Sequence, residues 1–250
     1  LSNRSDAALW KQQDLLYATL LGGVDKYVSS LAGMTRALSH SDGILTCIDE
    51  RLEKGSGCCA AGSLALLSEY KSRAYCKRAN VRGLTSHRNC GAIMKLMASD
   101  KRFRNFDPAN PYHVDRVAVD VAQEKALMLG IAYVTHLPVS EPTHSARTVY
   151  YVGVPNFVPH RVPGLPKGFL VSRRNHDPED ALEEVGIALG IAQKTFEKQV
   201  STGASALLII AVGDNSQEFS HEALARELHE IEQRHNGLVR VDGFCATQFR

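Results

Sequence analysis

Gly43-Ile44-Leu45-Thr46-Cys47-Ile48-Asp49-Glu50-Arg51 and Val81-Arg82-Gly83-Leu84-Thr85-Ser86-His87-Arg88-Asn89-Cys90-Gly91 are the two runs that decide the fold. Gly43 to Thr46 and Val81 to Ser86 are short and rich enough in apolar or β-branched residues to be strands, and each gives way to polar residues and then to a helical pattern. Both polar clusters therefore fall at carboxyl ends of strands, the edge of an open parallel sheet where sites are built. Two thiols, Cys47 and Cys90, and one imidazole, His87, are brought to that edge. This donor set suits zinc, which takes Cys sulfur at about 2.3 Å and His nitrogen at about 2.0 Å; three protein ligands leave a fourth position for water, the catalytic arrangement.

Between the two runs, Gly55-Ser56-Gly57 lacks the third glycine and the later acidic residue of a dinucleotide loop. The small residues from Gly55 to Gly62 instead let backbone pass close to the metal pocket, and a helical run follows over Ser63 to Tyr70. Cys58 and Cys59 are adjacent and Cys76 stands alone, so they read as packed thiols rather than as ligands. Beyond the second run a helix leaves over Gly91 to Met97, and a loop carries Pro108 and Pro111. Strand candidates are Val114 to Val121 or its first half, Ile131 to Val134 and Thr148 to Val154.

Pro155, Pro159, Pro163 and Pro166 mark an irregular connection, after which the pattern returns. Gly168 to Ser172 matches Gly43 to Cys47 in shape, Asp177-Pro178 opens a helix running through Ala181 to Val200, and Ala206 to Val212 is a buried strand. This mapping turns Cys47, His87 and Cys90 into Ser172, Gly213 and Ser216, and Asp49 and Arg51 into Arg174 and His176. None of these rebuilds the site. The expected plan is an N-terminal helical arm over 1–42, a zinc-binding half over 43–155 and a metal-free pseudo-repeat over 156–250. In the arm, apolar residues from Leu20 to Leu38 recur at steps of four and three, predicting one amphipathic helix over about 13 to 39.

Hydrophobic residues at 44% and charged residues at 22% of 250 describe an ordinary α/β globular chain. A net charge of +2 gives no case for nucleic acid or an acidic membrane as partner. No apolar stretch reaches the roughly 18 residues that span a bilayer. Six cysteines are too sparse for a disulfide framework. A reducing, cytoplasmic setting follows; the leading Leu1 suggests a trimmed upstream segment, which leaves an organelle or microcompartment open.

C-x-D-x-R at one strand end and H-x-x-C-G before a helix resemble the signature of the β-class carbonic anhydrases, matched at Cys47, Asp49, Arg51, His87 and Cys90. The resemblance implies a mostly parallel sheet flanked by helices, one zinc ion per chain on Cys47, His87 and Cys90, and reversible hydration of carbon dioxide to bicarbonate by zinc-bound hydroxide. Asp49 and Arg51 are then the catalytic dyad, with Arg51 fixing Asp49. Asp49 either accepts the hydroxide proton or takes the fourth zinc position at rest. The resemblance also implies a homodimer or higher even-numbered homo-oligomer, arms that pack on a neighbouring subunit, and chains in which two copies are fused. Two departures stand out: the interval from Cys47 to His87 is short for the family, and Glu50 replaces its usual serine. Hydrolysis of carbonyl sulfide or carbon disulfide on the same scaffold, and a catalytically silent zinc-binding assembly or regulatory protein, are the alternatives. His136, His144 and His160 are proton-transfer candidates by residue type alone.

Overall fold

The computed structural model describes residues 13–38, 42–52, 58–141, 143–197 and 207–249. Two parallel sheets carry the chain, with helices against their faces. The first contains β1 (Ile44–Leu45), β2 (Gly83–His87) and β3 (Ala132–Leu137), in the order β1-β2-β3. On the open side of β1, Thr46 makes a parallel bridge with Cys59, its amide donating to the Cys58 carbonyl at 3.0 Å while the Ala60 amide donates back to the Thr46 carbonyl at 3.0 Å. Residues 58–60 thus act as a minimal outer strand.

The second sheet contains β4 (Thr148–Val152), β5 (Gly168–Val171), β6 (Leu207–Gly213) and β7 (Val239–Cys245), in the order β5-β4-β6-β7. The order in space is therefore the same in both sheets: the first strand lies between the second and the third, and the fourth is outermost. β4 answers β1, β5 answers residues 58–60, and β6 and β7 answer β2 and β3. This corrects the repeat read from sequence, in which Gly168 to Ser172 stood for Gly43 to Cys47. β4 belongs to the second half, so the seam lies before Thr148 rather than at 155, and the proline-rich connection runs inside the second half, between β4 and β5. Aligning the ends of β2 and β6 pairs His87 with Gly213 and puts Val152, not Ser172, at the place of Cys47.

The sheets meet where the Leu170 amide donates to the Ile48 carbonyl at 3.1 Å. β1 and β5 run in opposite directions there, since the residues after β1 and Gly168 at the start of β5 border one cavity, and Gly43 before β1 and Arg174 after β5 border another.

The helices follow local sequence signals. α3 (Glu69–Ala79) begins at Ser68, whose side chain accepts from the Lys71 amide, and ends at Asn80 in the left-handed conformation. The expected helix over Ser63 to Tyr70 is instead a short 3-10 turn, Ala61–Leu64, followed by the start of α3. α4 (Gly91–Ser99) leaves the second polar cluster as expected. α5 (Pro111–Leu129) has Asn110 as its cap and proline in its first turn. It overturns the strand expected over Val114 to Val121, because Val114, Val117, Ala118, Val121 and Ala122 are buried at helical spacing. α6 (Pro178–Glu197) and α7 (His221–Arg234) flank the second sheet.

The arm is not one helix. α1 covers residues 13–20 of the described chain and α2 covers Val24–Ser29, with Gly22-Gly23 between them; after Gly33 comes a 3-10 turn over Met34–Ala37. Gly23 at φ 127° and Gly33 at φ 79° lie outside helical space, which overrides the apolar periodicity. The arm packs on its own chain's second half: the Tyr17 hydroxyl hydrogen-bonds the Thr148 hydroxyl, the Val24 amide donates to Asp242 at 2.8 Å, and the Tyr27 hydroxyl donates to the Gly164 carbonyl at 2.7 Å.

Candidate metal centre

Cys47 follows β1, His87 ends β2 and Cys90 is the residue at which α4 begins. Because residues 58–60 and β2 flank β1 on opposite sides, the three ligand types meet at the point where the strand order reverses, the crevice an open α/β sheet offers to ligands. Their donor atoms lie within 4.8 Å of one another, all three side chains buried. The group is one that can hold a metal ion.

The Cys47 and Cys90 sulfurs are 3.9 Å apart. An ion bound tetrahedrally to two thiolates at about 2.3 Å separates them by about 3.8 Å, whereas a disulfide would need about 2.05 Å. His87 is set up in the same sense. Its Nδ1–H donates to the Arg88 carbonyl at 2.9 Å, which leaves the Nε2 lone pair free for a ligand. That Nε2 is buried with no hydrogen-bond partner among the described residues. A hydrogen bond with Cys90, reinforced by burial, pushes the Cys47 thiol well above its usual range. Burial lowers the basicity of His87, but the neighbouring Cys47 and Asp49 outweigh it and hold the ring above its ordinary value. A cation between the sulfurs relieves this, since a coordinating thiol is deprotonated outright.

Backbone completes the cradle. The Gly62 amide donates to the Cys47 sulfur at 3.1 Å, from a residue at φ 56° where a Cβ would come within 2.9 Å of the Ala65 side chain. The preceding amide, Ala61, donates at 2.6 Å to Glu184 on α6, a buried carboxylate of the second half that also lies 3.3 Å from His176. The second half thus holds the loop that lies against Cys47.

Asp49 and Arg51 are almost fully buried beside the group. Arg51 donates to both carboxylate oxygens, Nε at 2.9 Å and Nη2 at 2.6 Å, and its backbone amide adds a third bond at 2.9 Å. Arg51 Nη2 also meets the Asn89 carbonyl at 3.1 Å, tying the two polar clusters together. Burial alone would raise Asp49, but the Arg51 guanidinium, with His87 and His144, holds its carboxyl below the usual carboxylate range. Asp49 is turned to Arg51 and does not join the ligand group, and no fourth Cys, His, Asp or Glu among the described residues does.

Glu50 does not join the Cys47, His87 and Cys90 group. It turns to His144, 3.0 Å away, and accepts from the Ser145 amide at 3.3 Å. His144 also comes within 3.9 Å of Asp49. His136 is bonded to Ser86 at 2.7 Å, and His160 lines a cavity beside Cys47 and Asp49. That cavity, about 270 Å³, has Cys47, Asp49 and Leu52 on one wall and Val158, Leu165 and Leu170 of the second half on the other.

The chain matches no protein-family model, no curated protein and no solved structure. A functional reading therefore starts from this geometry.

Proposed function

We propose that the chain is a zinc lyase that interconverts carbon dioxide and bicarbonate. The observation that carries the reading is the pairing of a three-ligand Cys47, His87, Cys90 group with an adjacent Asp49 that is fixed by Arg51 and left out of the ligand set. Zinc held there supplies a Lewis acid that lowers the pKa of a coordinated water toward neutrality.

The remaining work falls to the chain. Cys47 and Cys90 bring two negative charges, so a cation can be held with its own charge largely neutralised inside a buried site. Arg51, bonded twice to Asp49, pins the carboxylate in one orientation, so Asp49 can accept a hydrogen bond from the attacking water and aim its oxygen at the substrate carbon. One carbon–oxygen bond forms and one proton leaves, giving bicarbonate. The apolar wall built from Val158, Leu165 and Leu170 suits a small substrate with no hydrogen of its own to donate.

Stopped-flow measurement of carbon dioxide hydration on metal-quantified protein tests the reading. One zinc per chain and turnover well above buffer are expected. Cys47→Ser should lose zinc and turnover together, whereas Arg51→Ala should keep zinc and lose about a hundredfold or more in rate. Full zinc occupancy with turnover no faster than buffer would leave a silent zinc-binding protein. Sulfide release from carbonyl sulfide exceeding carbon dioxide turnover would reassign the substrate.

A further inference from the structure

We propose that a second cavity, at the start of β1 rather than at the finish where Cys47 lies, binds a phosphoryl group carried by a small molecule or present as inorganic phosphate. The cavity, about 340 Å³, is bordered by Gly43, Arg78 and Arg82 of the first half and by Asn156, Arg174 and Asn175 of the second. It lies beyond the carboxyl ends of β4 and β5, the place in the second sheet that answers the metal crevice in the first. The described residues of the second half hold no such ligand group there but leave an opening lined with guanidinium groups.

Among the described residues, three guanidinium groups border the cavity and no carboxylate does. Gathering like charges costs energy unless an anion joins them, and the planar donor fork of Arg matches phosphate oxygens in pairs. Two of the three are partly neutralised by residues outside the lining: Arg78 by Asp177 at 3.0 Å and Arg174 by Asp214 at 3.1 Å. The Arg82 guanidinium makes no ion pair among the described residues and donates to the Asp42 carbonyl at 2.9 Å. Gly43, at φ 73°, makes room for it, since a Cβ there would come within 2.9 Å of Arg82 Nε. The Asn156 and Asn175 amides add uncharged donors and acceptors. The volume exceeds what a free phosphate fills, leaving space for an organic stem.

The test is calorimetric titration of the full, metal-loaded chain with inorganic phosphate and, separately, with glycerol 3-phosphate, at constant ionic strength set with chloride. Saturable binding at one site per chain is expected, weakened at least tenfold in Arg82→Gln and Arg174→Gln and unchanged in Arg226→Gln, an exposed arginine away from the cavity. Tighter binding of the ester identifies a small phosphorylated molecule as the occupant; equal binding identifies the free ion. Arg174 also ties down the Gly153 carbonyl, so if Arg174→Gln fails to fold, Arg82→Gln decides. No saturable binding of either probe, or binding undiminished in Arg82→Gln, overturns the proposal; the latter would move the anion to the metal centre or the general surface.

Discussion

At His87 the ring nitrogen facing Arg88 is committed to a carbonyl, and that bond, more than the identity of the residue, leaves the other nitrogen free to act as a ligand. The ligand types themselves were readable: Cys47, His87 and Cys90 stand at strand ends in the sequence and meet in the fold. The groups that hold them were not. Gly62 and Glu184 reach the site only through tertiary packing, Glu184 from 123 residues away in the chain. Nothing local marks a glutamate on an amphipathic helix as a support for a distant amide.

Asp214 offers a test at the same scale. Burial opposes its ionisation, but the Ser216 hydroxyl and amide, helped by Arg174, hold its carboxyl below the ordinary value. A depressed folded-state pKa means that the unfolded chain binds the proton more readily, so stability from Asp214 is present above pH about 4 and is lost as pH falls through the folded value. The stability gap between wild type and Asp214→Asn should therefore narrow as urea unfolding is repeated from pH 6 down to pH 3. A gap that stays constant would show that the carboxylate charge contributes nothing.

Among the elements, those with end signals were legible and those broken or shortened by context were not. α6 is announced by Asp177-Pro178, and β2 by its run of small and β-branched residues. The arm read as one helix because its apolar spacing continues across glycines whose backbone angles forbid it. β4 went unrecognised as the partner of β1 because β1 pairs over only two residues and its outer neighbour is a single bridge at Cys59, too short to show the strand order. α7 and β7 gave no reading at all. The segment after β6 folds back on the strand end: the Asp214 amide donates to the Phe219 carbonyl at 2.8 Å, and the Phe219 ring lies 5.0 Å from the Arg174 guanidinium. A Cβ on Gly213 would fall 2.7 Å from the Phe219 carbonyl and inside contact distance of the His221 amide. Gly213→Ala should cost about 3 kcal/mol in the same unfolding assay, and an unchanged midpoint would mean that this loop can move aside.

Over the whole molecule the larger apolar core spans both halves, with Ile48, Cys90 and Ile93 from the first and Val171, Val185 and Leu189 from the second, while a smaller core of the first half holds Leu45, Tyr75 and Leu84. Neither half can be stripped away without opening that core to water. Unfolding should accordingly follow one transition, with slow-exchanging amides of β2 and β6 released together as urea rises. Two separated transitions by hydrogen exchange would mean that the halves are independently stable and that the seam at Ile48 and Leu170 is incidental.

That seam has a further consequence. Because β1 and β5 lie head to tail, every wall built at the finish of one strand faces the start of the other, so both openings are lined by residues drawn from both halves. The second half is consequently no spare part: deleting it would leave the cavity beside Cys47 and Asp49 roofless, and reshaping it would mean rebuilding a wall that its neighbour already uses.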